Sequence, residues 1–260
     1  MSVQQEKFKE IADAIREKTG STDLIKPSEF ASKVGEVYEA GQQSEYDRFW
    51  NYHQVDGTRT NYSGFFAGPA WTNDNANPKY DIKPEIFQYA MWNTGIKRLS
   101  KNFGKNGVIV DFNKCWQFSY AFSYSNIEYV EELDVSRKGS TMITQSMFSN
   151  CTKLVTIEKM ICNEAFTYSN TSFASCTMLA NIAIEGTIGC SFSFQWSPLT
   201  AESAINVITH LKDYSGTDSE FANTLTLSSK TKTALEAEGA TSPNGNTWAE
   251  YIKDIGWNLA

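Results

Sequence analysis

The chain has 260 residues, 41% of them hydrophobic, with a formal net charge of −7 and a pI near 5.0. That length and apolar content suffice for one large domain or two ordinary ones without covalent staples. The acidic balance argues against general nucleic-acid binding, which needs a Lys/Arg surplus facing phosphate, and no apolar run approaches the roughly 18 residues of a bilayer span.

Phe8, Ile11, Ala12 and Ile15 fall at i, i+3, i+4 and i+7, which predicts a helix between Ser2 and Lys18, stopped at Gly20. A second helix is predicted from "KPSEF", with Pro27 preset for the first turn and Phe30, Val34, Val37 and Tyr38 on one side, continuing toward Gln54. The opening "MSVQQEKFKEIADAIREKTG" is charged and lacks the apolar middle of a signal peptide, so the expectation is synthesis in a bacterial cytoplasm without export by that route. Two stripes on so short a hairpin bury little surface by themselves, which makes residues 1–55 a helical docking or oligomerisation segment. Residues 56–89, rich in Gly, Pro, Asn and Asp, predict an irregular connection ordered by Phe65, Phe66, Trp71 and Tyr80.

Over 90–190 one pattern recurs: an aromatic residue, a short gap, then two aliphatic residues three apart. Trp92 precedes Ile96 and Leu99; Phe122 precedes Ile127 and Val130; Phe148 precedes Leu154 and Ile157; Phe173 precedes Leu179 and Ile182. A unit this short cannot bury its own apolar face but can bury it against a copy of itself, so these residues are expected to form the structural ladder of a β-solenoid.

Residues 191–260 read as a small α/β C-terminal cap. A helix opens near Thr200 with Ala204, Ile205, Ile208 and Leu211 at helical spacing; "LTLSSKTKTALEAEG" is a strand and then a helix stopped at Gly239; Thr247-x-x-Glu250 is a capping box. The expected fold class is therefore α+β: an N-terminal helical segment, a solenoid and a small cap.

Little in the chain signals chemistry. The usual phosphate, dinucleotide, zinc-protease and esterase motifs are absent. A general base at His210 would need a nucleophile nearby, so His53 and His210 are expected as structural or surface histidines, and Glu131 and Glu132, adjacent on a strand, would point to opposite faces rather than flank one bond. The five cysteines, an odd number without a C-x-x-C pair, are expected as reduced and mostly buried thiols. Cys151 and Cys176 share a ladder position, which would also bring them within disulfide range. No cofactor or metal is expected. In "CWQFSYAFSYS", Trp116, Phe118, Tyr120, Phe122 and Tyr124 alternate with small or polar residues. On a strand they make one face, either turned into the core or, with Trp116, Tyr120 and Tyr124 as the ligand contacts, stacking sugar rings.

"MFSNCTKLVTI" and "SFASCTMLANI" resemble leucine-rich repeats of the bacterial surface-antigen type, which makes the expected solenoid leucine-rich-repeat-like. The segments "IADAIREKTGSTDLIKPSEFASKVGEVYEAGQQSEYDRFW" and "SPLTAESAINVI…LTLSS…TWAEYIKDIGWN" resemble the two ends of tail-associated proteins from phages and prophages of Gram-positive bacteria. The resemblance implies a non-enzymatic structural or adhesion component of a virion tail, of fibre or baseplate type, with no catalytic residues to carry over. Its expected partners are copies of itself, with a trimer as one form, other tail proteins, and a host-surface glycan or protein, with no nucleic acid and no membrane span. The rivals are a bacterial leucine-rich-repeat surface adhesin and a tail-associated cell-wall hydrolase.

Overall fold

Short aliphatic pairs set the strands of the middle of the chain. β1 (Arg98–Leu99), β2 (Tyr129–Val130), β3 (Leu133–Asp134), β4 (Met142–Ile143) and β6 (Phe166–Thr167) are two residues long, whereas β5 (Thr156–Cys162) has seven and β7 (Asn181–Gly186) six. These elements come from a computed structural model that describes Asp13 and residues 61–65, 67, 83–101, 111–136, 142–164, 166–167, 171–239 and 241–260. The chain divides into two compact units, Met1–Val55 and Asp56–Ala260. Apart from Asp13, which is helical and exposed, the N-terminal helices lie outside the described residues, as do His53, Phe66, Trp71 and Tyr80.

All strand pairs among the described residues are parallel. β1, β2, β5 and β3 form a sheet in that order, and β7 joins it on β5. β2 and β3 take successive parts of one edge of β5, and β7 takes the other. The register puts Leu99 beside Val130, Val130 beside Ile157 and Ile157 beside Ile182. Three residues earlier in the same register stand Ile96, Ile127, Leu154 and Leu179, and all eight side chains are buried. Gly186 closes β7 with φ +87°, and a Cβ there would stand 2.2 Å from the Cys162 carbonyl oxygen, so only glycine fits.

The loops before these strands stack as well, through hydrogen bonds from Met91 N to Ala121 O (2.8 Å), Phe122 N to Met147 O (2.9 Å) and Phe148 N to Ser172 O (2.8 Å). They place Met91, Phe122, Phe148 and Phe173 at one position of successive levels. Phe122 and Phe148 stack with centroids 5.0 Å apart, Phe148 and Phe173 at 5.7 Å, and Phe173 and Phe194 at 5.1 Å. Trp92, expected in this ladder, is instead 38% exposed, and the buried Met91 holds the position.

The expected α+β chain with a leucine-rich-repeat-like β-solenoid is not what the described residues form. They make a mixed α/β fold with three helices and parallel sheets, and no solenoid is present among them. The ladder pairs specify which residues meet at neighbouring levels but not the path between them. The first aliphatic positions, 96, 127, 154 and 179, lie 31, 27 and 25 residues apart. The sheet forks at β5, whose pairing with β7 shifts register between Ile157 and Met160. After Gly186 the aliphatic pairs end, and only the ring column continues, through Phe194.

β8 (Phe192–Phe194), β9 (Asn223–Leu227) and β10 (Trp257–Leu259) form a second parallel sheet in the order β10-β9-β8. α1 (Ala201–Thr209) starts at the N-cap Thr200, whose hydroxyl accepts from Ser203 N, and buries Ala204, Val207 and Ile208. It packs along β7: Ile182 N donates to Ser203 Oγ (3.0 Å) and Ile184 N to Asn206 Oδ1 (2.6 Å), so helix side chains satisfy the strand's outer donors. α2 (Ser229–Glu238) ends at Gly239 in the left-handed conformation, and α3 (Trp248–Asp254) carries the complete Thr247–Glu250 capping box.

The stacked rings make a sharp prediction. Phe148→Ala and Phe173→Ala should each cost about 3–5 kcal/mol, as large-to-small changes in packed cores do. Urea denaturation measures this, and losses below about 1 kcal/mol at both positions would show that the column carries little of the stability.

Candidate functional site

The run Trp116–Tyr124 is not a strand. Ala121 N donates to Phe118 O, Ser123 N to Tyr120 O and Ser125 N to Phe122 O, which closes a series of tight turns. Tyr120 and Tyr124 take φ +57° and +61°, a region that bulky residues seldom occupy. The run therefore splits by side: Phe118 and Phe122 are buried, Trp116 and Tyr124 are exposed at 40% and 54%, and Tyr120 is half-buried.

Left-handed residues recur at two positions of the stacked turns. One column holds Tyr89, Tyr120 and Ser146; the other holds Asn93, Tyr124, Asn150 and Ser175. The columns are fixed by Tyr89 N to Ser119 O (3.1 Å), Asn93 N to Ser123 O (2.8 Å), Tyr120 N to Gln145 O (2.9 Å), Tyr124 N to Ser149 O (2.9 Å) and Asn150 N to Ala174 O (2.7 Å). Tyr89 and Tyr120 stack nearly parallel at 4.8 Å, and Trp92 meets Tyr124 edge-on at 6.0 Å. The outcome is an edge that presents four aromatic rings from two adjacent levels. The sequence pattern pointed to Tyr120 and Tyr124 but missed Tyr89, and it placed Trp92 in the ladder. Trp116 is exposed without a ring contact to this group among the described residues.

Behind the rings runs a column of small hydrogen-bonding side chains. Ser125 Oγ donates to Phe122 O at 2.5 Å, Cys151 Sγ to the same carbonyl at 3.0 Å and Cys176 Sγ to Phe148 O at 3.1 Å. All five cysteines are free thiols. Burial pushes Cys151 up to about 11, partly offset by the Ser125 hydrogen bond, and burial likewise raises Cys162 and Cys176 well above the ordinary thiol range. Cys151 and Cys176 are buried hydrogen-bonding groups, and burial favours the protonated thiol at all three positions.

The remaining described candidates make local contacts. His210 Nδ1 lies 2.7 Å from Asn206 O at the end of α1. Glu132 sits 3.1 Å from Lys101 and 3.5 Å from Lys159, and Lys159 also reaches Glu185 at 2.7 Å. The hydrogen bond to Glu185 is the main cause that holds the Lys159 ammonium above its usual range. A cleft of about 600 Å³ opens between α2, α3 and the second sheet, lined by Leu227, Leu235, Trp248, Ile252 and Leu259 with Lys232 beside them. Among the described residues no group of three His, Cys, Asp or Glu could hold a metal ion, and no helix is long and apolar enough to cross a membrane.

No protein-family model matches the chain, and comparisons with curated proteins and with solved structures find no match.

The thiol environment gives two expectations. Alkylation of the native protein at pH 8 should spare Cys151, Cys162 and Cys176, while denaturation should expose five reactive thiols, counted by mass spectrometry. Because folding raises the Cys151 pKa, its contribution to stability is present below the ordinary thiol value near 9 and drains away as pH rises through about 11, and Cys162 and Cys176, raised in the same direction, act with the same sign. Denaturation midpoints that stay flat between pH 8 and 11 would contradict the assignment.

Proposed function

We propose that the chain is a non-enzymatic structural or adhesion component of a phage or phage-like tail, with the aromatic edge as its contact surface. The observation that carries this is the division of rings within one stretch of turns. Phe118 and Phe122 are spent on the core, while Tyr89, Trp92 and Tyr124 stay exposed on backbone that two of them hold in the left-handed region. The turns form with Ser146, Asn150 and Ser175 at the same left-handed positions, so large exposed rings at Tyr89 and Tyr124 are not required by the backbone and support a contact role. The resemblance of both ends of the chain to tail-associated proteins supports the particle context. In this reading residues 1–55 supply assembly, through copies of the chain, for instance as a trimer, or through another tail protein, and a host-surface glycan or protein meets the aromatic edge.

Particles purified on a density gradient from a bacterium carrying the chain should contain it at fixed copy number, with antibody labelling at the tail. Its absence from particles together with recovery in the cell envelope would favour the surface adhesin instead. Clearing of cell-wall suspensions by the purified protein would favour the hydrolase.

A further inference from the structure

The aromatic edge stops abruptly. At the two left-handed positions the residues change from Tyr120 and Tyr124 to Ser146 and Asn150 at the next level. Tyr89 covers one face of Tyr120, and no other ring among the described residues lies against its opposite face. At Trp92's position of the turn the following levels carry Ser123, Ser149 and Ala174, all small. Two tyrosine rings and a tryptophan thus stand beside a lower step whose serines, Ser123, Ser146 and Ser149, are buried and whose half-buried Asn150 presents an amide. Ser146 Oγ is bonded to Thr171 Oγ1 at 3.1 Å, and the half-buried Asn150 directs its amide nitrogen to Ser149 Oγ at 3.0 Å, which leaves its carbonyl oxygen to accept. None of the residues in the two columns is charged.

We infer that this step is a carbohydrate site that takes the apolar face of a neutral hexose or N-acetylhexosamine ring. A pyranose pairs a C–H face with a rim of hydroxyls, and the step pairs an aromatic face with the Asn150 amide one level away. The ring of Tyr124, exposed and braced edge-on by Trp92, and the open face of Tyr120 supply the stacking surface. Asn150 and the tyrosine hydroxyls supply hydrogen bonds at the rim. A phosphorylated or acidic polymer would find no cation in either column and would meet a chain of net charge −7. The left-handed backbone fixes both tyrosines before a ligand arrives, which reduces the ordering that binding must impose.

The inference rests on the edge being the contact surface and names its ligand class. The test uses the full-length protein on an array of immobilised mono- to hexasaccharides of neutral hexoses and N-acetylhexosamines, with affinity for each positive saccharide measured by calorimetry. At least one should bind. Tyr120→Ala and Tyr124→Ala should each weaken it about tenfold or more, the loss typical of a stacking anchor. Phe221→Ala, at an exposed aromatic in the turn before β9, should leave affinity unchanged. Should a tyrosine variant fail to fold, Asn150→Gly, which keeps the left-handed φ and removes the amide, should still weaken binding several-fold. Saccharide binding that ignores both the tyrosine and the Asn150 changes would overturn the site. An array without binding, while host cells still capture the protein in a Tyr124-dependent and protease-sensitive way, would overturn the carbohydrate class and leave the contact surface intact. An array without binding and no Tyr124-dependent capture would sink both.

Discussion

Everything in the middle of this protein depends on one positional constraint: in a parallel stack, each level must offer the next a side chain of compatible shape at the same place. Phe122, Phe148 and Phe173 meet it with nearly parallel rings, and Phe194 extends the column into the second sheet. Flat rings stack between the levels, and the strands that follow them range from the two residues of β2 to the seven of β5. Larger or branched replacements would push the levels apart, and smaller ones would leave a void bordered on two sides.

The polar half of the interior obeys the same rule. Ser125, Cys151 and Cys176 stand over one another and send their hydrogens to turn carbonyls that no strand ladder reaches. Serine and cysteine interchange there because both are small and both can donate. With rings filling the space and these groups satisfying the backbone, the turns are locked from inside. That rigidity lets Tyr120 and Tyr124 persist at dihedrals that an unsupported loop would relax.

Much of this was legible in the residues. The aliphatic pairs from Ile96 to Ile182 could be read from spacing, and so could the start of α1 at Thr200, the stop of α2 at Gly239 and the Thr247–Glu250 box, because each depends on residues within one turn or one level. The path between levels was not legible, which is why a uniform solenoid was expected where the sheet forks at β5 and gives way to helices. The aromatic run misled for a related reason. Alternation is the signature of a strand, yet successive tight turns with left-handed residues at Tyr120 and Tyr124 produce the same two-residue rhythm while sending Phe118 and Phe122 one way and Tyr124 the other. Nothing local distinguishes Met91 from Trp92 as the core residue; the hydrogen bond from Met91 N to Ala121 O decides it.

The junction of α1 with β7 has a further consequence. A parallel sheet whose last strand shows bare amides is a template on which another chain can grow. Here the amides of Ile182 and Ile184 are occupied by Ser203 and Asn206 from a helix, a partner that presents no ladder of its own to copy. Recruitment of a foreign strand at this border would require displacing a packed helix first. The stack therefore has a direction: toward β7 its amides at Ile182 and Ile184 are already occupied, so that border offers no open ladder for self-templated polymerisation.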